Sequence, residues 1–197
     1  MFDNLVSIIV NLIIMKFQDI HSDNDIKRLA SLAREIWRSY WPILLSEDEI
    51  EYMINLFQSF DAIKRQIKEE GFIYKILKDE NNTLGYLAVC KKSKPYNHLY
   101  LSKIYLKDGQ RGKGAGWLMF DEIKKIASGL NLDKIRLNVN KRNFNSIKTY
   151  ERWGFKTLEA IVVDIGDGYV MDDYVMECTL DNSGDIDQDF SSLFSNQ

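Results

Sequence analysis

Gln110-Arg111-Gly112-Lys113-Gly114-Ala115-Gly116 stands between an apolar run, His98–Leu106, and an amphipathic run over residues 117–130. The order reads as strand, glycine-rich turn, helix. Glycines let the backbone bend tightly and approach a ligand closely. The first N–H groups of a helix have no partner inside it, and the helix dipole makes that end positive. Together they form a site for a phosphate group, and Arg111 and Lys113 add full charges beside it. Two known phosphate loops do not fit the spacing. The P-loop needs Gly, four residues and Gly-Lys-Ser/Thr, and the dinucleotide fingerprint needs Gly-x-Gly-x-x-Gly. What fits is Arg-x-x-Gly-x-Gly, as Arg111, Gly114 and Gly116.

Downstream lies Asn143-Phe144-Asn145-Ser146-Ile147-Lys148-Thr149-Tyr150-Glu151-Arg152-Trp153-Gly154-Phe155. A predicted strand over residues 135–139 separates it from the helix that follows the turn. The turn resembles the pyrophosphate loop of the GCN5-related N-acetyltransferases (GNAT). In that family a later strand is followed by Asn-x-x-Ala-x-x-x-Tyr and, shortly after, Gly-Phe. Here Asn143, Ser146 in place of the alanine, Tyr150 and Gly154-Phe155 stand in that order. The resemblance covers residues 72–180.

The resemblance implies acetyl-CoA as cosubstrate. It also implies that the strand before the turn and the strand after its helix splay apart, with pantetheine pairing in the gap. The cofactor contacts implied are Ile104, Tyr105 and Leu106 on the strand, Arg111, Gly112, Lys113, Gly114, Ala115 and Gly116 in the loop, and Asn143. Tyr150 is the implied proton donor to the leaving thiolate, a role open to a phenol that is protonated at neutral pH. Asn143 also reads as a helix N-cap.

The rest of the chain completes a mixed α/β order. Residues 15–20 read as a first strand. Ser22-Asp23-Asn24-Asp25 supplies an N-cap, and Ile26, Leu29, Ala30, Ala33, Trp37 and Tyr40 recur at helical spacing until Pro42 ends the helix. Ser46 with Glu49 reads as a capping box for a second helix carrying Ile50, Met53, Ile54 and Phe57. A third, short helix carries Phe60, Ile63 and Ile67. Residues 72–78 and 84–91 form a predicted hairpin turning at Glu80-Asn81-Asn82. Residues 155–165 and 169–180 form another across Gly166-Asp167-Gly168. The expectation is a single GNAT-like domain over residues 15–180, its central, mostly antiparallel sheet flanked by helices on both faces. Residues 1–14 read as an N-terminal extension, too short to span a bilayer. Residues 181–197, with four aspartates and no Lys or Arg, read as a flexible acidic tail.

Composition narrows the function. A net charge of −3 and 28% charged residues give no broad basic field, so a nucleic-acid partner is not expected. No membrane partner is expected either. The two cysteines, Cys90 and Cys178, sit among apolar neighbours in predicted strands, which suits a reducing cytoplasm. No Cys/His spacing suggests a metal site.

Acetyl transfer to an amine needs an unprotonated nucleophile, stabilisation of the carbonyl oxygen as it gains charge, and a proton for the thiolate. Backbone N–H groups near Ile104 can serve the second need and Tyr150 the third. Some family members carry a carboxylate base on the strand before the loop, but His98–Leu106 has none. Tyr100, Ser102 and Ile104 share one face at a period of two, and Tyr100 and Ser102 are candidates to hold a water there. Trp41 and Tyr52 are candidate walls of an acceptor pocket. Asp164, Asp172 and Asp173, around the last hairpin, are candidate partners for a cationic acceptor. The reading is therefore an acetyl-CoA-dependent N-acetyltransferase working by direct attack. Its acceptor is a primary amine, in particular a polyamine or other small amine. The alternatives are a peptide amine, or a CoA-binding regulatory module without turnover. A homodimer remains open.

Overall fold

The computed structural model describes residues 15–180, apart from residues 94 and 96; the expectations for residues 1–14 and 181–197 fall outside the described residues. Among the described residues seven strands form one sheet: β1 (Lys16–Asp19), β2 (Phe72–Lys78), β3 (Thr83–Lys92), β4 (His98–Leu106), β5 (Lys134–Asn140), β6 (Lys156–Gly166) and β7 (Tyr169–Thr179). Their order is β1-β2-β3-β4-β5-β7-β6. Only β4 and β5 run parallel; the other five pairs are antiparallel. The α-helices among the described residues are α1 (Asp23–Tyr40), α2 (Glu47–Phe57), α3 (Phe60–Glu69), α4 (Ala115–Gly129) and α5 (Phe144–Arg152).

Local chemistry sets most of these boundaries. The Ser22 hydroxyl accepts the Asp25 N–H at 3.1 Å, and the Asp25 carboxylate accepts the Ser22 N–H at 3.0 Å. This reciprocal box starts α1, and such a cap is worth about 1 kcal/mol. At α2 the Ser46 hydroxyl accepts the Glu49 N–H at 3.2 Å, but the described bonds give no return from Glu49, so the expected box is there only half made. Pro42 stops α1 as expected, and Trp41–Ile43 tighten into one 3-10 turn. In the β2–β3 turn the Asp79 carboxylate accepts the Asn81 and Asn82 N–H groups at 2.9 and 2.6 Å. The helix after the glycine-rich loop starts at Ala115 rather than at residue 117, because Gly114, at φ +85°, serves as its N-cap.

Each face of the sheet buries its own core. On one face α4 supplies Met119, Phe120 and Ile123 against Leu99, Leu101, Ile135, Leu137 and Met176. On the other, α1 and α3 set Leu29, Ile36 and Ile63 against Tyr74, Ile76 and Tyr86. A third cluster joins the end of α1 to α2 through Trp37, Trp41, Met53 and Ile54, and reaches Tyr105 of β4, Ile165 of β6 and Met171 of β7. The helical layer thus bridges from β4 to the last hairpin. Both cysteines are buried in strands.

One expectation about β4 is overturned. The register against β3 slips between Ala88, which faces Lys103, and Val89, which faces Leu101. Ser102 is the extra residue of a β-bulge, and a bulge resets the alternation of side chains. Tyr100, Ser102 and Ile104 therefore do not share a face. Ile104 packs with Leu99 and Leu101 against the α4 core, while Tyr105 packs on the α1 side.

Candidate active site

β4 and β5 pair only from Leu99 to Leu101 and from Ile135 to Leu137. Beyond that their described pairing ends, although β4 runs on to Leu106 and β5 to Asn140. The bulge at Ser102 coincides with the parting. Residues 102–106, including Ile104, Tyr105 and Leu106, keep β3 as a neighbour on one edge but turn the other toward the gap. Their backbone groups on that edge are available to an extended ligand, which would add to the sheet as a strand does.

The glycine-rich loop closes one end of the gap. Gly112 and Gly114 hold positive φ, +74° and +85°. No side chain caps α4, so the first amides of the helix, from Ala115 and Gly116 onward, remain free to bind an anion. A Cβ at Gly116 would rest in ordinary contact with the Trp153 ring, at 3.7 Å. Arg111 and Lys113 are exposed beside the loop. The Arg111 guanidinium lies 4.4 Å from the Tyr40 ring centroid and reaches the Leu106 carbonyl at 3.5 Å. Uncapped amides, left-handed glycines, two cations and an open strand edge fit a phosphate-bearing, pantetheine-like cosubstrate.

Side chains from α1 and α5 meet over the gap. The Tyr40 hydroxyl donates to the Asn143 side-chain oxygen at 2.9 Å and lies 3.2 Å from the Ser146 hydroxyl. Asn143 is buried and caps α5 by accepting the Ser146 N–H at 3.3 Å. Tyr150 is partly buried, with its ring 5.8 Å from Trp153 and 5.7 Å from Phe155. Burial raises its pKa above the ordinary phenol value, and the Tyr40 phenol adds to the shift. The Tyr150 hydroxyl therefore keeps its proton at neutral pH, as a proton donor must.

The acceptor candidates divide. Trp41 is buried in the aromatic cluster, 5.5 Å from Trp37 and 5.1 Å from Tyr40 between ring centroids. Tyr52 donates a short hydrogen bond to the Ile165 carbonyl, and its ring sits 5.2 Å from Tyr169. It tethers the last hairpin to α2. A cleft of about 320 Å³ opens here, lined by Leu45, Glu49, Asn140, Arg142, Tyr169 and Asp172 among others. Asp172 is exposed and paired with Lys141. Asp164 is exposed and accepts the Gly166 N–H at 2.8 Å, a turn-forming bond. Asp173 alone of the three is buried, 7% exposed. Burial, together with the neighbouring Asp172 charge and against that of Lys141, pushes its pKa up to about 6. Tyr100 is pushed up to about 12 by burial and by the charge of Asp173. Ser102 contributes the bulge.

Sequence reasoning left three features unnoticed. Tyr40 joins the site through contacts with residues more than a hundred positions away. Gly85 is pinned on β3, where a Cβ would come 2.2 Å from the Tyr105 carbonyl oxygen. Lys103 is buried, bonded to the Gln66 side-chain oxygen at 3.1 Å and 5.2 Å from both the Phe72 and Tyr74 ring centroids. Burial lowers its pKa to about 7.

Residues 28–155 match the model of the acetyltransferase (GNAT) family. Among solved structures the fold is similar to the PaiA N-acetyltransferase of Thermoplasma acidophilum in complex with coenzyme A, with a TM-score of 0.68, 21% identity and coverage of 84% of this chain and 98% of that one. It is similar to a GCN5-related N-acetyltransferase from Rhodopseudomonas palustris, with a TM-score of 0.68, 13% identity and coverage of 84% and 95%. It is also similar to the spermidine/spermine N-acetyltransferase SpeG of Vibrio cholerae, with a TM-score of 0.58, 18% identity and coverage of 85% and 94%. At these identities the likeness is one of fold. No helix among the described residues is long and apolar enough to cross a membrane.

Proposed function

Since the chain belongs to the acetyltransferase (GNAT) family and is an acetyl-CoA-dependent N-acetyltransferase, we propose that it passes the acetyl group directly to a small cationic amine of the polyamine kind. The observation that carries this reading is the parting of β4 and β5 past Leu101, directly beside the uncapped start of α4. The parted strands leave room for the cosubstrate's extended arm while its phosphates meet the loop. Acetyl-CoA supplies an activated acyl group. Everything else in the transfer falls to the chain.

In this reading Arg111, Lys113 and the amides from Gly112 to Gly116 hold the phosphates. The strand edge of Ile104, Tyr105 and Leu106 orients the arm and presents N–H groups to the carbonyl oxygen as it gains charge. Tyr150 gives a proton to the departing sulfur. Asn143 and Tyr40 close the gap from above. The acceptor enters from the side of Glu49, Tyr169 and Asp172, two carboxylates and an aromatic ring against the single Arg142 cation of the cleft. That lining suits a cation. The SpeG likeness points the same way.

A panel of amines, incubated with enzyme and acetyl-CoA and read by mass spectrometry, tests this. Spermidine and short diamines should gain an acetyl group faster than a peptide amino terminus. A preference for the peptide would make the chain a peptide amine acetyltransferase. Tight acetyl-CoA binding with no acetylated product from any amine would support the regulatory module instead.

A further inference from the structure

We propose that the Asp173 carboxylate receives the acceptor's ammonium group and removes its proton, supplying the base that β4 lacks. The proposal rests on the acetyltransferase reading above and assigns one residue within it.

The geometry begins with β7. Asp173 lies opposite Asn140 of β5 and Ile161 of β6. Its neighbours Tyr174 and Met176, opposite Val139 and Leu137, belong to the core on the α4 side. By alternation Asp173 and Asn140 face the α1–α2 side, and Asn140 lines the cleft where the acceptor would enter. The Asp173 charge is felt by Tyr100 and by Tyr105, both on β4. The carboxylate therefore stands across the parted strands from the strand edge that would hold the acetyl group.

Its bonding sets it apart. Buried charges are costly unless paired or hydrogen-bonded. Glu177, four residues on in the same strand and on the same face, obeys the rule through Arg136 and Lys134. Asp172 has Lys141. Lys103, also buried on this side of the sheet, has Gln66 and two rings. Asp173 is 7% exposed, yet its carboxylate makes no hydrogen bond or ion pair with any described residue. A carboxylate left unpaired, opposite the cleft-lining Asn140 in the sheet, is a binding site for a cation.

The chemistry balances. The acceptor arrives as R–NH3+, and Asp173 takes one proton to become a neutral acid. The freed nitrogen lone pair forms the N–C bond to the acetyl carbonyl carbon, and the C–S bond breaks. Tyr150 gives its proton to the sulfur. The second nitrogen proton returns to the Tyr150 oxygen, and Asp173 releases its proton to solvent. The charged groups around Asp173 are Asp172, which holds its proton affinity up, and Lys141, which opposes this. With its pKa near 6, Asp173 is ionised at neutral pH and still basic enough to take a proton.

The test compares wild type, Asp173→Asn and Asp173→Glu on two acceptors, n-butylamine, charged at pH 7, and aniline, neutral at pH 7. Asp173→Asn should lower kcat/KM for butylamine about a hundredfold, the lower end of the usual effect of a positioned base. It should also remove an acidic limb near pH 6 from the pH profile. The loss for aniline should be at least tenfold smaller, because aniline binds without a charge to neutralise. Asp173→Glu should recover part of the butylamine rate, and the acetyl-CoA dissociation constant should stay the same in all three. An unchanged acidic limb in Asp173→Asn overturns the proposal, as do equal losses for the two amines. A wild type that acetylates neither these nor any other amine fails at the level of the enzyme's function, a result readable before any variant is made.

Discussion

The Tyr40 hydroxyl, at the last residue of α1, donates to the side-chain oxygen of Asn143, the N-cap of α5, at 2.9 Å. This bond ties the helical layer on one side of the sheet to the helix that packs on the other. It crosses the place where β4 and β5 separate. The same Tyr40 ring supports the Arg111 guanidinium, so one side chain links the loop, the gap and the cap. Tyr40→Phe keeps the ring and loses the bond. It should raise the KM of the amine acceptor about fivefold, the equivalent of the roughly 1 kcal/mol that such a bond contributes. Steady-state kinetics on both substrates checks this, and an unaltered KM would show that the tie does not shape the site.

Tyr150→Phe removes only a hydroxyl. The ring contacts with Trp153 and Phe155 survive, so cofactor affinity should hold. Turnover should fall by about a hundredfold, as expected for loss of a proton donor. Calorimetry and kcat measured together separate the two effects. Weakened binding at unchanged kcat would assign Tyr150 to packing.

Gly85 tests the route of β3 past β4. An added Cβ would stand 2.2 Å from the Tyr105 carbonyl oxygen, so Gly85→Ala must push the strands apart. The cost should be about 3 kcal/mol, and the melting temperature should drop by roughly 6–12 °C. A drop of under 2 °C by calorimetric scanning would mean that the strands relax freely there.

Two buried charges give opposite pH trends. Asp173 holds a raised pKa, so the folded state binds more protons than the unfolded chain between the ordinary carboxylate range and about pH 6. That contribution to stability falls as pH rises through this window. Asp173→Asn should therefore melt above wild type at pH 7.5, with the difference shrinking toward pH 4.5. Lys103 holds a lowered pKa, and the unfolded chain binds more protons from about pH 7 up to the ordinary lysine range. Stability rises with pH there. Lys103→Met should melt above wild type at pH 6.5 and lose that advantage near pH 10. Scanning across pH checks both, and parallel shifts of one sign would refute the assignment of these burials.

The residues proposed for the cofactor side form a local pattern in the sequence. Arg111, Gly114 and Gly116 stand within one turn, where Gly114 holds positive φ, and Asn143, Ser146 and Tyr150 follow one spacing at the start of and along α5. The succession of strands and helices along the chain followed from apolar runs and turn residues, and most boundaries moved by a residue or two. The acceptor side was harder, because its geometry depends on pairing between distant strands. Ser102 carries no local sign of a bulge, yet that bulge sends Tyr100 and Ile104 to different faces. Asp173 stood in sequence beside Asp172, with no cue to tell them apart. Only the register of β7 against β5 buries one and exposes the other. Tyr40 read as an ordinary position on an apolar helix stripe, since its partners lie in α5.

The most direct test of the account is calorimetric titration of acetyl-CoA into wild type and into Gly114→Asp. Aspartate at this position adds a negative charge at the uncapped start of α4 and a side chain where φ is +85°. The strain alone costs about 1–3 kcal/mol, so circular dichroism must first establish that the variant is folded. The account predicts a dissociation constant at least tenfold weaker in the folded variant. An equal dissociation constant in the two proteins would contradict it and move the phosphate site away from residues 110–116.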